Sequence, residues 1–299
     1  HAASMGGSQC FFEANEQQTV EDMIKCIIIA SGNDAAVAMA EFTSGSEEAF
    51  VADMNNKARE LGMENTTFKN ACGLDADGHE TTARDIAIMS RELITRYPDI
   101  FNYTSIWTDT IIHKTRRGEK EFGLVNTNKF LRQYQGATGL KTGYTSTAHY
   151  CISATANRNG VKLIAVVMGA DTKENRNTDA AKLLDYGFAR CYAYTDKKIL
   201  QKNDIKVLNG DREYVKITSV SDFNAVLLNG EKAEDVKKEL VLYDDELKAP
   251  LKKGDCIGYV KYTVGDRTIG MVAVNTGEAV GEKTYMYGMQ TMFEHIIKK

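Results

Sequence analysis

A change of texture along the chain, from capped helical segments to short β-like runs divided by turn signals, limits the folds open to it. Thr19 precedes an apolar run through Ile24, Ile27, Ile28 and Ile29, with Glu21 and Asp22 just after it. A hydroxyl cap followed by acids in the first turn predicts a helix starting near Val20. That helix breaks at Ser31-Gly32-Asn33, and a short helix follows over 35–42. Ser46 caps a third predicted helix over 47–61, closed by Gly62. Thr82 caps a fourth, whose Ile86, Met89, Leu93 and Ile94 fall at helical spacing before Pro98. From about residue 138 the pattern turns to strands: a β region at Lys141-Thr142-Gly143, runs over 150–156 and 163–168, and a hairpin signal at Asn159-Gly160 between them. A helix over 178–190 follows, with Ala181, Leu184 and Phe188 on one face. Antiparallel strands backed by helices predict an α+β domain rather than a doubly wound one.

Beyond residue 198, short β runs alternate with Asn209-Gly210-Asp211, Asn229-Gly230, Lys253-Gly254-Asp255 and Gly265-Asp266. This predicts a small all-β domain, and the expected organisation is 1–197, 198–282 and a tail over 283–299. In the tail Met289, Met292, Phe293, Ile296 and Ile297 recur at helical spacing, an amphipathic pattern that suits a membrane surface or the protein's own face.

Bulk properties exclude several classes. A formal net charge of -4 and the lack of basic runs interleaved with aromatics give no basis for nucleic-acid binding. Apolar runs such as 163–168 are too short to span a bilayer. The six cysteines contain no Cys-x-x-Cys pair and the five histidines no metal-ligand spacing, so no metal or cofactor is expected. Free, mostly buried thiols are expected instead. The chain begins at His1 without an initiator Met, so the lack of a visible export signal carries little weight.

Ser31-Gly32-Asn33 and Lys141-Thr142-Gly143 carry the chemistry. Either tripeptide alone is an ordinary turn or strand end; in this order, each on a suitable element, they are far more specific. A helix break presents the Ser31 hydroxyl as a proton relay and the Asn33 amide to a substrate carbonyl or a lysine. Lys141 on a strand edge brings a positive charge that attracts a carboxylate, and Thr142 adds a hydroxyl to hold it. Gly143 leaves room for a substrate to lie along the strand as an added β partner, and the Tyr144 N–H is placed to meet an oxyanion.

With Gly73-Leu74-Asp75-Ala76-Asp77-Gly78, Ala83-Arg84-Asp85 and the run from Gly139 to Thr145, these residues resemble the low-molecular-mass penicillin-binding proteins, the serine D-alanyl-D-alanine carboxypeptidases. The resemblance covers nearly the whole chain. It implies a β-lactamase/transpeptidase-like α+β domain followed by a β-rich domain, outside the cytoplasm at the outer face of the membrane. It also implies removal of the terminal D-alanine from peptidoglycan stem peptides through an acyl-serine, with β-lactams as inhibitors and the tail meeting the membrane. Ser31, Asn33 and Lys141 take catalytic places; Thr142, Gly143, Tyr144 and Arg176 take substrate-binding ones, Arg176 meeting the substrate's free carboxylate.

The pattern departs from the family in one respect. No serine of the chain is followed three residues later by lysine, the signature of the family's nucleophile. The expectation is that the segment bearing it lies upstream of His1, that the chain is inactive alone, and that apolar surface around Ile27 to Ile29 is left exposed. A non-catalytic peptidoglycan- or partner-binding descendant is the alternative from another class. A β-lactamase is a second alternative, disfavoured by the β-rich domain and by the absence of an identifiable carboxylate-bearing deacylation loop.

Overall fold

The structure, a computed structural model, describes residues 1–200, 204–284 and Met289. It divides into two compact units, His1–Ala189 and Arg190–Lys299. The sequence texture placed the junction at 197/198. The structure places it earlier because Cys191–Asp196 is already a strand of the second unit, paired with Phe223–Leu228. Apart from residues 283, 284 and Met289, the amphipathic tail lies outside the described residues.

The first unit carries helices α1 (Val20–Lys25), α2 (Asn33–Ser44), α3 (Glu47–Glu60), α4 (Ala83–Arg96), α5 (Phe101–Thr104), α6 (Phe130–Gln133) and α7 (Lys173–Phe188). Thr19, Ser46 and Thr82 each accept a backbone N–H of the first turn, as their positions in the sequence predict. Strands β1 (Thr108–Thr115) and β2 (Gly118–Val125) form a hairpin, and β3 (Ala137–Thr145), β4 (His149–Arg158) and β5 (Val161–Ala170) form an antiparallel sheet in that order. The central strand β4 is buried on both faces, as its alternation requires. Ile152, Ala154 and Ala156 join Phe130, Ala180 and Leu184 in the core under α6 and α7. On the opposite face, the buried Ser153 hydroxyl bonds to Ser90 of α4 at 2.7 Å.

Two carboxylates explain much of the local order. Asp34, buried in the first turn of α2, accepts the N–H groups of Cys10, Phe12 and Ala35 and so ties the leading extended segment to that helix. Asp85, likewise buried at the start of α4, accepts from Asn65 N at 3.0 Å and from the Thr66 hydroxyl at 2.7 Å. The Ala83-Arg84-Asp85 motif is therefore structural at its acidic member.

A second core of this unit joins Cys10, Met23, Cys26, Ile29 and Ala35 to Ile111 and Leu124 of the hairpin. Ile29 is fully buried and Ile27 and Ile28 half-buried, so the apolar exposure expected there is small. The hairpin covers this segment. The large exposed apolar side chains near it are Phe11, Val20 and Phe42.

The second unit is built of β6 (Cys191–Asp196), β7 (Asp204–Leu208), β8 (Tyr214–Ser219), β9 (Phe223–Leu228), β10 (Val236–Leu242), β11 (Leu247–Lys248), β12 (Cys256–Val264) and β13 (Arg267–Thr276). A six-stranded sheet runs β10-β12-β13-β8-β7-β11, and β6 pairs with β9. Its core contains Val215, Ile217, Val260 and Val274, with Phe223 stacked on Tyr262 at 3.7 Å between ring centroids. This is the all-β unit that the turn signals predict.

Candidate active site

Helix α1 does not end where its hydrogen bonds first could. It runs into a five-residue π-helical turn, Cys26–Ala30, and the widened turn delivers Ser31 in the left-handed conformation (φ 60°, ψ 38°). For a side chain other than glycine this costs about 1–2 kcal/mol, and such turns concentrate at functional sites. The Cys26 carbonyl accepts the N–H groups of both Ser31 and Gly32, and the chain restarts as α2 at Asn33. The Ser31 hydroxyl is thereby held at a rigid corner.

Lys141 comes to that corner from β3, an edge strand whose sheet neighbour is β4. Its ammonium donates to the Ser31 hydroxyl at 2.7 Å and to the Thr142 carbonyl at 2.9 Å. Desolvation, with a smaller contribution from the Arg176 charge, pulls the Lys141 pKa down to about 8. The Thr142 hydroxyl lies 3.3 Å from that of Thr127. Gly143 faces open space, since a Cβ there would meet no atom within 4 Å. Tyr144 is exposed, its ring 4.4 Å from that of Tyr150.

The helix predicted over 178–190 leaves Arg176 ahead of its start. In the structure that helix starts at Lys173, because Thr172 accepts the Asn175 N–H as its cap and Glu174 lies in the first turn. Arg176 is buried at 5% exposure, with its guanidinium held by the Asn177 side-chain oxygen at 2.9 and 3.0 Å. Burial lowers its pKa. Among the described residues, neither Arg176 nor Lys141 forms an ion pair with a carboxylate.

One cleft of about 990 Å³ brings together Ser31, Asn33, Lys141, Thr142, Gly143, Tyr144 and Arg176. Asn33 also braces the leading segment, its amide donating to the Gly6 carbonyl at 2.7 Å. Sequence reasoning missed Thr127, Lys129, Tyr150 and Lys173, which also line the cleft. Thr127 is presented by a turn in which the Asn126 and Asn128 side chains accept backbone N–H groups, and its own N–H reaches the Ile29 carbonyl. Two asparagines in a polar run were the available signal. Gly73 and Leu74 of the quoted motif line the wall. The cleft has four cationic side chains, Lys129, Lys141, Lys173 and Arg176, against the one carboxylate of Glu174, which suits an anionic ligand. Among the described residues no group of three or more His, Cys, Asp or Glu is placed to hold a metal ion, and no helix is long and apolar enough to cross a membrane.

Comparison with known proteins gives the family. Residues 1–172 match the family described as D-alanyl-D-alanine carboxypeptidase, and residues 194–282 match the C-terminal domain of penicillin-binding protein 5. The chain is 45% identical over 262 residues to the D-alanyl-D-alanine carboxypeptidase DacF of Bacillus subtilis, covering 86% of this chain and 65% of that one. It is 34% identical over 278 residues to DacC of Escherichia coli, covering 89% and 65%. It therefore spans about two-thirds of the length of these curated relatives, slightly less in each case. The crystal structure of penicillin-binding protein 5 from Haemophilus influenzae superposes with a TM-score of 0.69 at 32% identity, over 92% of this chain and 78% of that one. The match over 1–172, more than half of the chain, shows that the chain belongs to the D-alanyl-D-alanine carboxypeptidase family.

Proposed function

We propose that the protein is a serine D,D-carboxypeptidase that removes the terminal D-alanine from peptidoglycan stem peptides through an acyl-serine, and that β-lactams inhibit it by occupying the same place. The observation that carries this reading is the Lys141–Ser31 hydrogen bond at an open strand edge, in one cleft with the buried Arg176. A peptide laid along β3 beside Gly143 finds a cationic end for its terminal carboxylate in Arg176 and the Thr142 hydroxyl. Lys141, with its pKa near neutrality, holds or releases a proton at the Ser31 oxygen, which passes it to the leaving amine. The Tyr144 N–H serves the oxyanion. Such a substrate places the protein outside the cytoplasm, at the cell envelope, with the tail against the outer face of the membrane.

The acylating serine of that reaction, with lysine three residues on, is not among the 299 residues. The chain by itself is accordingly proposed to hold the peptide without cleaving it. The same fact supports the second reading, a descendant that binds peptidoglycan without cleaving it. Intact-mass measurement with and without penicillin tests both, on the 299-residue chain and on the product of its complete reading frame. The carboxypeptidase reading requires an adduct on the latter alone, together with D-alanine release. An adduct on the 33.2 kDa chain would mean that one of its own serines is acylated, and would overturn the inactivity proposed for it. No adduct on either would favour the binder.

A further inference from the structure

The proposed reaction uses Lys141 and Arg176 and leaves two cleft cations, Lys129 and Lys173, without a role. Lys173 stands three residues before Arg176 on α7, so the two share a face of that helix. Its ammonium lies 5.9 Å from the centre of the Tyr150 ring. Among the described residues it forms no ion pair with a carboxylate, its chain neighbour Glu174 included. Tyr150 on β4 is opposite Tyr144 on β3, and their rings are 4.4 Å apart. Ile152, two residues along β4, sits in the core under α7, so both rings are on the α7 side of the sheet. Thr142, opposite Ile152, shares that side. The strand and the helix thus present two cationic steps in succession: Thr142 with Arg176, then the paired rings with Lys173.

The strand also sets the direction of a bound peptide. Toward its start β3 is closed by α5: the Thr104 hydroxyl donates to the Thr138 carbonyl at 2.7 Å. A Cβ on Gly139 would likewise fall 2.7 Å from the Thr104 Cβ. A peptide whose terminal carboxylate meets Thr142 and Arg176 therefore extends the other way, past Tyr144. At about 3.4 Å per residue, its third residue from the C-terminus lies about 7 Å back, beside the two rings. We propose that Tyr144, Tyr150 and Lys173 form a subsite for that third residue, and that the residue it prefers carries a second carboxylate. The rings cover the aliphatic stem of such a residue. The Lys173 ammonium, drawn toward the Tyr150 ring, meets the acid at its end. The subsite rests on the carboxypeptidase reading, which fixes where the peptide's C-terminus lies.

The test is calorimetric titration of the 299-residue chain with three acetylated tripeptides ending in D-Ala-D-Ala and starting with Glu, Gln or Lys. The Glu peptide should bind about 5-fold more tightly than the Gln peptide, and the Lys peptide most weakly, the modest ratio reflecting an exposed ammonium. Lys173→Gln should bring the Glu and Gln peptides level, and Lys173→Arg should restore the preference. Equal binding of all three peptides, or a Glu preference that survives Lys173→Gln, would overturn the subsite and leave the carboxypeptidase reading standing. The Glu peptide is also measured as its C-terminal carboxamide. Equal affinity for acid and carboxamide would overturn the placement of the C-terminus at Arg176, and the subsite with it.

Discussion

The cleft of the first unit and the β-rich unit treat charge in opposite ways. In the β-rich unit, Asp196 faces a burial penalty that would raise its pKa. Hydrogen bonds from Lys238, the Lys198 N–H and Tyr262 outweigh that penalty and hold it below its ordinary range. Arg267 is likewise closed onto Glu231. In the first unit the cleft cations Lys141 and Arg176 are desolvated, and among the described residues neither is ion-paired with a carboxylate. A buried charge with its partner is part of the scaffold; one without a partner lowers stability and is retained for a ligand that supplies the missing charge.

The contrast can be broken most directly in the second unit. Lys238→Ala leaves the Asp196 carboxylate with too few donors and should cost about 3 kcal/mol of stability, read by denaturant unfolding, with peptide binding unaffected. Lys141→Met should do the reverse. Affinity for a peptide ending in D-Ala-D-Ala, read by calorimetry, should fall by about 30-fold, while stability holds or rises by about 1 kcal/mol because an unpaired charge is removed. A stability loss as large as that of Lys238→Ala would show that Lys141 is scaffold after all. Arg176→Gln should cost about 10-fold in affinity for the free peptide acid and almost nothing for its carboxamide, which separates carboxylate recognition from general packing.

The most gradual effect is the one with pH. The Lys141 pKa is about 8 in the folded protein against an ordinary 10.5, so between these values the unfolded chain holds a proton that the folded one has lost. Stability contributed by this group therefore rises with pH across that window, by at most about 1.4 kcal/mol per pH unit. Lys141→Met should flatten the slope. Ligand affinity should run the other way and decline above about pH 8, as the ammonium is lost.

Much of the site was legible beforehand because its residues do two jobs at once. Ser31-Gly32-Asn33 is a helix break as well as the corner proposed for catalysis, and Lys141-Thr142-Gly143 is a strand edge as well as a cleft wall, so local pattern pointed to both. The β1–β2 hairpin escaped notice, although Thr115-Arg116-Arg117-Gly118 closes it, because its strands mix apolar and charged residues without clean alternation. Lys129 and Lys173 escaped notice because an exposed lysine in a loop or a first helical turn looks the same whether or not a cleft lies beside it.

By itself the sequence determined the helix starts, the α+β order with its β-rich end, and the two tripeptides on which the family assignment turns. These follow from caps, periodicity and turn chemistry, all of which act within a few residues along the chain. Only the tertiary structure decided that Lys141 reaches across 110 residues to Ser31 and that Arg176 is buried within a helix. Those outcomes depend on which surfaces are taken out of water together, and desolvation is a property of the packed whole.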